Sequence, residues 1–219
     1  MKTIYVVRHG RTYINKYHRF QGWCDAPLIE EGKDTAKKIG EALKDVKFDL
    51  AVSSDLKRAV DSRDIIVQEN NNCENIKSVE TPDFREYFLG YFEGMPDEIG
   101  LAKITGKKEG TYKSFADMAK DGYSWPEIRN MVKAADPTGD AENDEEFQSR
   151  IQKGIKWLEN FDNVENILLV AHGVLIRYLC EKYGKGKFNP LELPTHTELS
   201  VLTIDDNGEI SMQEYGKQL

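Results

Sequence analysis

Two apolar runs, Ile4-Tyr5-Val6-Val7 and Ile167-Leu168-Leu169-Val170, lie near opposite ends of the chain, and each leads into a histidine followed by a glycine. The first runs into Arg8-His9-Gly10 and the second into Ala171-His172-Gly173. Short, continuous apolar runs are the pattern of strands covered on both faces, as in a parallel sheet flanked by helices. In open sheets of that kind the ligand binds beyond the carboxyl ends of the strands. Both histidines are therefore expected to point into one crevice. The glycine after each lets the chain turn sharply and lets backbone approach a ligand.

The intervening sequence keeps the same rhythm. Ala36, Ile39, Ala42, Leu43 and Val46 recur at helical spacing and predict a helix over 28–46. A second strand is expected at 48–52, then a helix at 56–68 with Leu56, Ala59, Val60 and Ile66 on its core face. A weaker strand comes next at 77–81, and a helix at 174–183 is stopped by Gly184. Residues 199–204 and 210–215 flank Asp205-Asp206-Asn207-Gly208, which predicts a hairpin with an Asn-Gly turn. The expected fold is thus one α/β domain over 1–219: a mostly parallel sheet with helices on both faces and an antiparallel hairpin at one edge.

Residues 90–140 break that rhythm with glycines at 94, 100, 106, 110 and 122 and with Tyr112, Phe115, Met118, Tyr123 and Trp125. A helical insertion is expected at about 91–140, its aromatic residues forming a small core of their own. Asn143 and Glu146 then make a capping box for a helix whose buried stripe is Phe147, Ile151, Ile155 and Leu158.

Composition excludes some function classes. The 219 residues carry 30 basic and 38 acidic side chains, a formal charge of −8. That argues against nucleic acid as partner, since a phosphate backbone needs a basic footprint. A small phosphorylated ligand remains open, because a few arginines focused in a cleft suffice. No apolar run reaches the ~18 residues of a membrane span, and Arg8 interrupts the first run before it attains signal-peptide length. Three scattered cysteines, Cys24, Cys73 and Cys180, suit a reducing compartment, so a cytoplasmic location is expected. Neither C-x-x-C nor H-x-x-x-H occurs, and no metal or other cofactor is expected.

Arginine supplies the second chemical clue. Arg8 abuts His9, and Arg58 lies at the start of the helix after the second strand. A guanidinium grips phosphate bidentately and keeps its charge. Two arginines and two histidines at strand ends make a cage for a dianion. Ser53 and Ser54 are read as caps of the following helix. A proton donor is still needed, and Glu86 and Glu93 are candidates between which spacing does not choose. His18 is expected in solvent, His196 is a weaker pocket candidate, and Lys107 and Lys108 are read as solvated charges.

Here a resemblance emerges. Arg8-His9-Gly10-Arg11-Thr12-Tyr13-Ile14-Asn15 resembles the R-H-G-x-T-x-x-N signature of the histidine phosphatase superfamily, in the branch containing phosphoglycerate mutases. The segment from Arg19 to Leu28 resembles the stretch next to that signature in the same family. Ser53-Ser54-Asp55-Leu56-Lys57-Arg58-Ala59 is similar to its S-S-x-L-x-R-A block. Arg85-Glu86 with Gly90 and Glu93-Gly94 is similar to its R-E…G…E-G block, and Ala171-His172-Gly173 with Ile176-Arg177 to its second histidine block. The blocks stand in family order over 4–204.

The resemblance implies roles. His9 would be the nucleophile that becomes phosphohistidine, Arg8, Arg58 and His172 the phosphate pocket, and Glu86 the general acid/base. Asn15, Gln21, Gly22 and Gly173 would face the substrate. The chain departs from the mutases in its insertion, which offers Lys103, Lys107, Lys108 and Lys113 but no arginine pair and no proline run. Glu142-Asn143 stands where many members have Glu-Ser. The expected function is metal-independent hydrolysis of small phosphomonoesters. The alternatives are a cofactor-dependent phosphoglycerate mutase and, in another class, a noncatalytic phosphate-ligand binding protein. A small phosphorylated substrate is the expected partner, nucleic acid and membrane are not, and a homodimer stays open.

Overall fold

A computed structural model describes every residue except Glu192. Six strands, β1 (Lys2–Arg8), β2 (Leu50–Ser53), β3 (Lys77–Glu80), β4 (Asn166–Ala171), β5 (Glu198–Ile204) and β6 (Ile210–Gln218), form one sheet in the order β3-β2-β4-β1-β5-β6. β3, β2, β4 and β1 are mutually parallel, whereas β5 runs antiparallel to β1 and β6 to β5. This is the mostly parallel α/β sheet with an antiparallel edge hairpin that the apolar runs predict. The long-range β1–β4 pairing aligns Val7 with Val170 and Arg8 with Ala171. The two His-Gly dipeptides therefore leave the sheet side by side.

Alternation along the central strands explains why these runs are continuously apolar. Ile167, Leu169 and Ala171 face one apolar cluster, Leu168 and Val170 another, and all five are fully buried. The second cluster is covered by α2 (Glu30–Ala42) and α3 (Lys57–Gln68) through Ala36, Ile39, Ala59 and Ile66. The first is covered by α7 (Asp144–Glu159) and α8 (Gly173–Tyr183) through Ile151, Ile155, Ile176 and Leu179. Burying a side chain of this size is worth roughly 1.5–3 kcal/mol, so a polar residue on either face of β4 would be costly.

α2 is shorter than its apolar pattern. Leu28 bridges to Thr12 ahead of the helix and Leu43 caps it, yet both are buried in the apolar interior. Hydrophobic spacing reports which residues face the core, and turns can do so as well as helices. Gly184 ends α8 as expected, with φ of −77° in place of a left-handed cap. The β5–β6 connection also differs from a two-residue Asn-Gly turn. Gly208 N–H donates to the Asp205 carbonyl and Asp205 N–H to that of Glu209, so only Gly208, at φ +79°, is left-handed.

The insertion is helical, with α4 (Asp97–Thr105), α5 (Phe115–Lys120) and α6 (Trp125–Ala135); a four-residue helix, α1 (Tyr13–Lys16), stands near the start of the chain. The aromatic residues of the insertion do not form a separate core. Tyr112, Met118 and Trp125 join the cluster containing Phe84, Phe147 and Ile176, because α6 packs on α7 and shares its apolar face.

Candidate active site

His9 follows β1 and is 3% exposed. Its Nδ1 lies 2.8 Å from the Gly10 carbonyl, and its Nε2 lies 3.2 Å from Arg58 Nε. A guanidinium can only donate, so Nε2 accepts there and Nδ1–H donates to the carbonyl. That tautomer leaves the Nε2 lone pair on the Arg58 side. His172 is arranged likewise: Nδ1 faces Arg58 Nη2 at 3.2 Å and Nε2 faces Ser54 Oγ at 2.7 Å. The two rings are 5.0 Å apart between centroids. Burial, and then the neighbouring Arg58 charge, hold both imidazoles well below the usual histidine range. Neutral rings are the result.

Arg58 is wholly buried and spends its remaining donors on Gly22 O at 2.7 Å, Cys24 O at 2.9 Å and Asp25 Oδ1 at 3.2 Å. Arg8 is less committed. Its Nη1 reaches the Pro194 carbonyl at 3.3 Å, while its buried Nε has no partner among the described residues.

The two candidate carboxylates separate cleanly. Glu86 lines the cavity above the histidines and accepts N–H bonds from Tyr87 at 2.9 Å, Val174 at 3.0 Å and Leu175 at 3.2 Å. It thus sits at the positive end of α8, where a carboxylate is favoured. Glu93 is absent from the cavity wall. It accepts from Gly22, Trp23, Cys24 and Leu89 N–H at 2.8–3.1 Å and latches the loop whose carbonyls hold Arg58.

The cavity, of about 330 Å³, is lined by Arg8, Asn15, Gln21, Glu86, Gly173, Arg177 and His196 among others. His9, Arg58 and His172 are not on this wall; they lie beneath it, nearly sealed from solvent. Gly22, assigned to the substrate side by resemblance, is not on the wall either. A Cβ there would fall 2.2 Å from the Tyr87 carbonyl oxygen and 2.3 Å from Glu93 Oε1, so its role is close packing. Gln21 Oε1 accepts from Thr12 Oγ1 at 2.6 Å, leaving its Nε2 buried without a partner among the described residues. Ser53 and Ser54 cap nothing: α3 begins after Leu56, Ser53 Oγ accepts from Arg63 at 3.1 Å, and Ser54 is taken by His172. His18 is exposed at the cavity mouth, and His196 lines the cavity with its ring 5.6 Å from that of His9 and its Nδ1 on the His9 carbonyl. Lys113 lines the cavity, whereas Lys107 turns to Tyr112 and Asp121. Burial pushes the Cys24 thiol up to about 12, which makes it inert as a nucleophile.

One support escapes sequence reasoning altogether. Arg150 ion-pairs with Glu142 at 2.6 Å and donates to the carbonyls of Asp83, Arg85 and Glu86. Trp23 Nε1 donates to the same Glu86 carbonyl at 2.9 Å. The backbone carrying Glu86 is thereby fixed by a helix more than sixty residues away, and no local pattern signals it.

Fold and site together define an α/β protein with a histidine–arginine cage beyond the ends of parallel strands. Residues 4–216 match the family described as histidine phosphatase superfamily (branch 1), and the chain belongs to it. It is 29% identical to a 2,3-bisphosphoglycerate-dependent phosphoglycerate mutase of Methanococcus vannielii, over 95% of this chain and 93% of that protein. It is 30% identical to the uncharacterized phosphatase PhoE of Bacillus subtilis, over 85% of this chain and 79% of that one. A crystal structure of phosphoglycerate mutase from Bacillus anthracis superposes with a TM-score of 0.85 at 31% identity, covering 99% of this chain and 93% of the other. Mutases and phosphatases therefore both stand among its relatives.

Proposed function

We propose that the protein hydrolyses small phosphomonoesters through a phosphohistidine on His9, without a metal. The observation that carries this is the neutral His9 ring, its Nε2 lone pair held on the Arg58 side by the Gly10 carbonyl. That lone pair attacks phosphorus as the ester P–O bond breaks. The leaving oxygen takes the electron pair and a proton from Glu86. Arg8, Arg58 and His172 bear on the charge of the transferring group. Water then attacks the phosphohistidine and gives its proton to the Glu86 carboxylate. The P–N pair returns to His9 and inorganic phosphate leaves.

The insertion favours hydrolysis over mutase action. A mutase must retain a bisphosphorylated intermediate and exclude water while it turns over. Here Lys113 is the insertion cation on the cavity wall, and Arg129 is committed to Asp144 at 2.7 Å. The mutase reading is favoured by the names of the Methanococcus vannielii and Bacillus anthracis relatives. One assay separates them. Incubation with a panel of phosphomonoesters in chelator, without bisphosphoglycerate, is expected to release inorganic phosphate, and His9→Ala to abolish release. Rapid, primer-dependent interconversion of 2- and 3-phosphoglycerate with little phosphate release would instead establish a mutase. Phosphate binding with neither activity would leave a binding module.

A further inference from the structure

Arg177 is 2% exposed, lines the cavity and has no role in the cage at the strand ends. One face of its guanidinium lies 3.3 Å from the centre of the Trp125 ring, contributed by α6 of the insertion. Its buried Nε has no hydrogen-bond partner among the described residues. Glu181 and Glu86 act on it through their charges and make no hydrogen bond to it: Glu181 lies 4.0 Å from Arg129, and Glu86 accepts from the start of α8. A buried guanidinium without a hydrogen-bonding acceptor is costly, and stacking on an aromatic ring compensates only part of that cost. Burial and the Arg129 charge lower its pKa to about 10, which still leaves it protonated at neutral pH.

Its place along α8 measures the cavity. Gly173 lies against Arg8, since a Cβ there would be 3.2 Å from Arg8 Cζ. Arg177 is four residues further, on the same helix face and about 6 Å up the axis. The same wall carries apolar side chains, Phe20, Leu89, Phe115 and Val174, among its charged ones. Phe20 and Phe115 stack at 5.2 Å between centroids.

We propose that Arg177 forms a distal oxyanion subsite, so that the preferred substrate is a phosphomonoester with an apolar body and a second anionic group, carboxylate or phosphate, at its far end. This rests on the assignment of the proximal phosphate to the His9 cage. The second group supplies an acceptor to a guanidinium that lines the cavity and meets none among the described residues, and the aromatic wall accommodates the body.

Binding is the readout, so that failure of the hydrolytic assignment and failure of the subsite are distinguishable. Calorimetry on His9→Asn compares 4-carboxyphenyl phosphate, its uncharged isostere 4-carbamoylphenyl phosphate, and 1,4-phenylene bisphosphate. Both doubly anionic probes are expected to bind at least about tenfold more tightly than the carboxamide. Adding Arg177→Met should erase that preference while leaving carboxamide binding in place, and Arg177→Lys should restore part of it. A preference for only one of the anionic probes identifies which oxyanion the subsite takes and supports it. Equal binding of all three probes, or equal weakening of all three in Arg177→Met, would overturn the proposal and leave Arg177 as a pin between α8 and the insertion. Loss of phosphate release by the wild-type protein with the binding preference intact would sink the hydrolytic assignment alone.

Discussion

A carboxylate that accepts four backbone N–H groups in a loop is placed for a different task from one that accepts three beside a cavity. Glu93 is the first kind and Glu86 the second. Replacing Glu86 by Gln removes a transferable proton while keeping size, and kcat should fall by roughly 10²–10⁴-fold. Replacing Glu93 by Gln turns an amide group toward N–H donors and loosens the loop that holds Arg58. A net loss of roughly 1.5–3 kcal/mol of stability is expected, with a smaller fall in kcat. Urea midpoints and kcat on one aryl phosphate check both, and the reverse ordering of the two kcat effects would exchange the roles. Sequence spacing left these two glutamates equivalent. Their difference lies in which backbone amides they meet, and most of those amides come from segments far along the chain: Val174 and Leu175 for Glu86, Gly22, Trp23 and Cys24 for Glu93.

At the scale of elements, α7 shows how local signals and distant function connect. Asn143 and Glu146 form the capping box read from the sequence, with Asn143 Oδ1 accepting from Glu146 N–H at 2.8 Å. Further along the same helix, Arg150 grips the backbone of Glu86. Asn143→Ala should therefore cost about 1 kcal/mol in thermal or denaturant unfolding and leave kcat unchanged, because Arg150 is held separately by Glu142. A matching drop in kcat would mean that fraying of the first turn reaches Arg150. The capping box was legible because it is a contact between near neighbours in the chain. The Arg150 anchor was not, because its partners are carbonyls, which every residue carries.

For the whole molecule the histidines set a pH dependence. Burial holds His9 and His172 well below the usual range, and burial with Arg8 nearby lowers His196 to about 3. In the unfolded chain the same side chains take up protons near ~6.5. Below that pH the unfolded state binds more protons, so stability is full above it and is lost as pH falls toward the folded values. The slope should approach about 1.4 kcal/mol per pH unit for each such histidine. Melting temperatures recorded from neutral pH downward should decline in this window, before the carboxylates titrate near ~4. A flat profile across it would mean that the imidazoles are protonated in the folded protein.

The apolar runs determined the sheet. A strand of residues 167–170 with no polar position can only be covered on both faces, and the His-Gly after each central strand then has to emerge at one end of that sheet. The cage of His9, His172, Arg8 and Arg58 was legible for the same reason: strand ends are local, and their convergence is a consequence of parallel pairing. Only the tertiary structure decided what lies above the cage. That Glu86 lines the cavity while Glu93 does not, that Gly22 is packed beneath a carbonyl, that the insertion's aromatics enter the main core, and that Arg177 is buried against Trp125 with no acceptor among the described residues all depend on where loops and helices come to rest. Those positions are set by packing and hydrogen bonds between segments far apart in the chain, and neither leaves a periodic trace in the sequence.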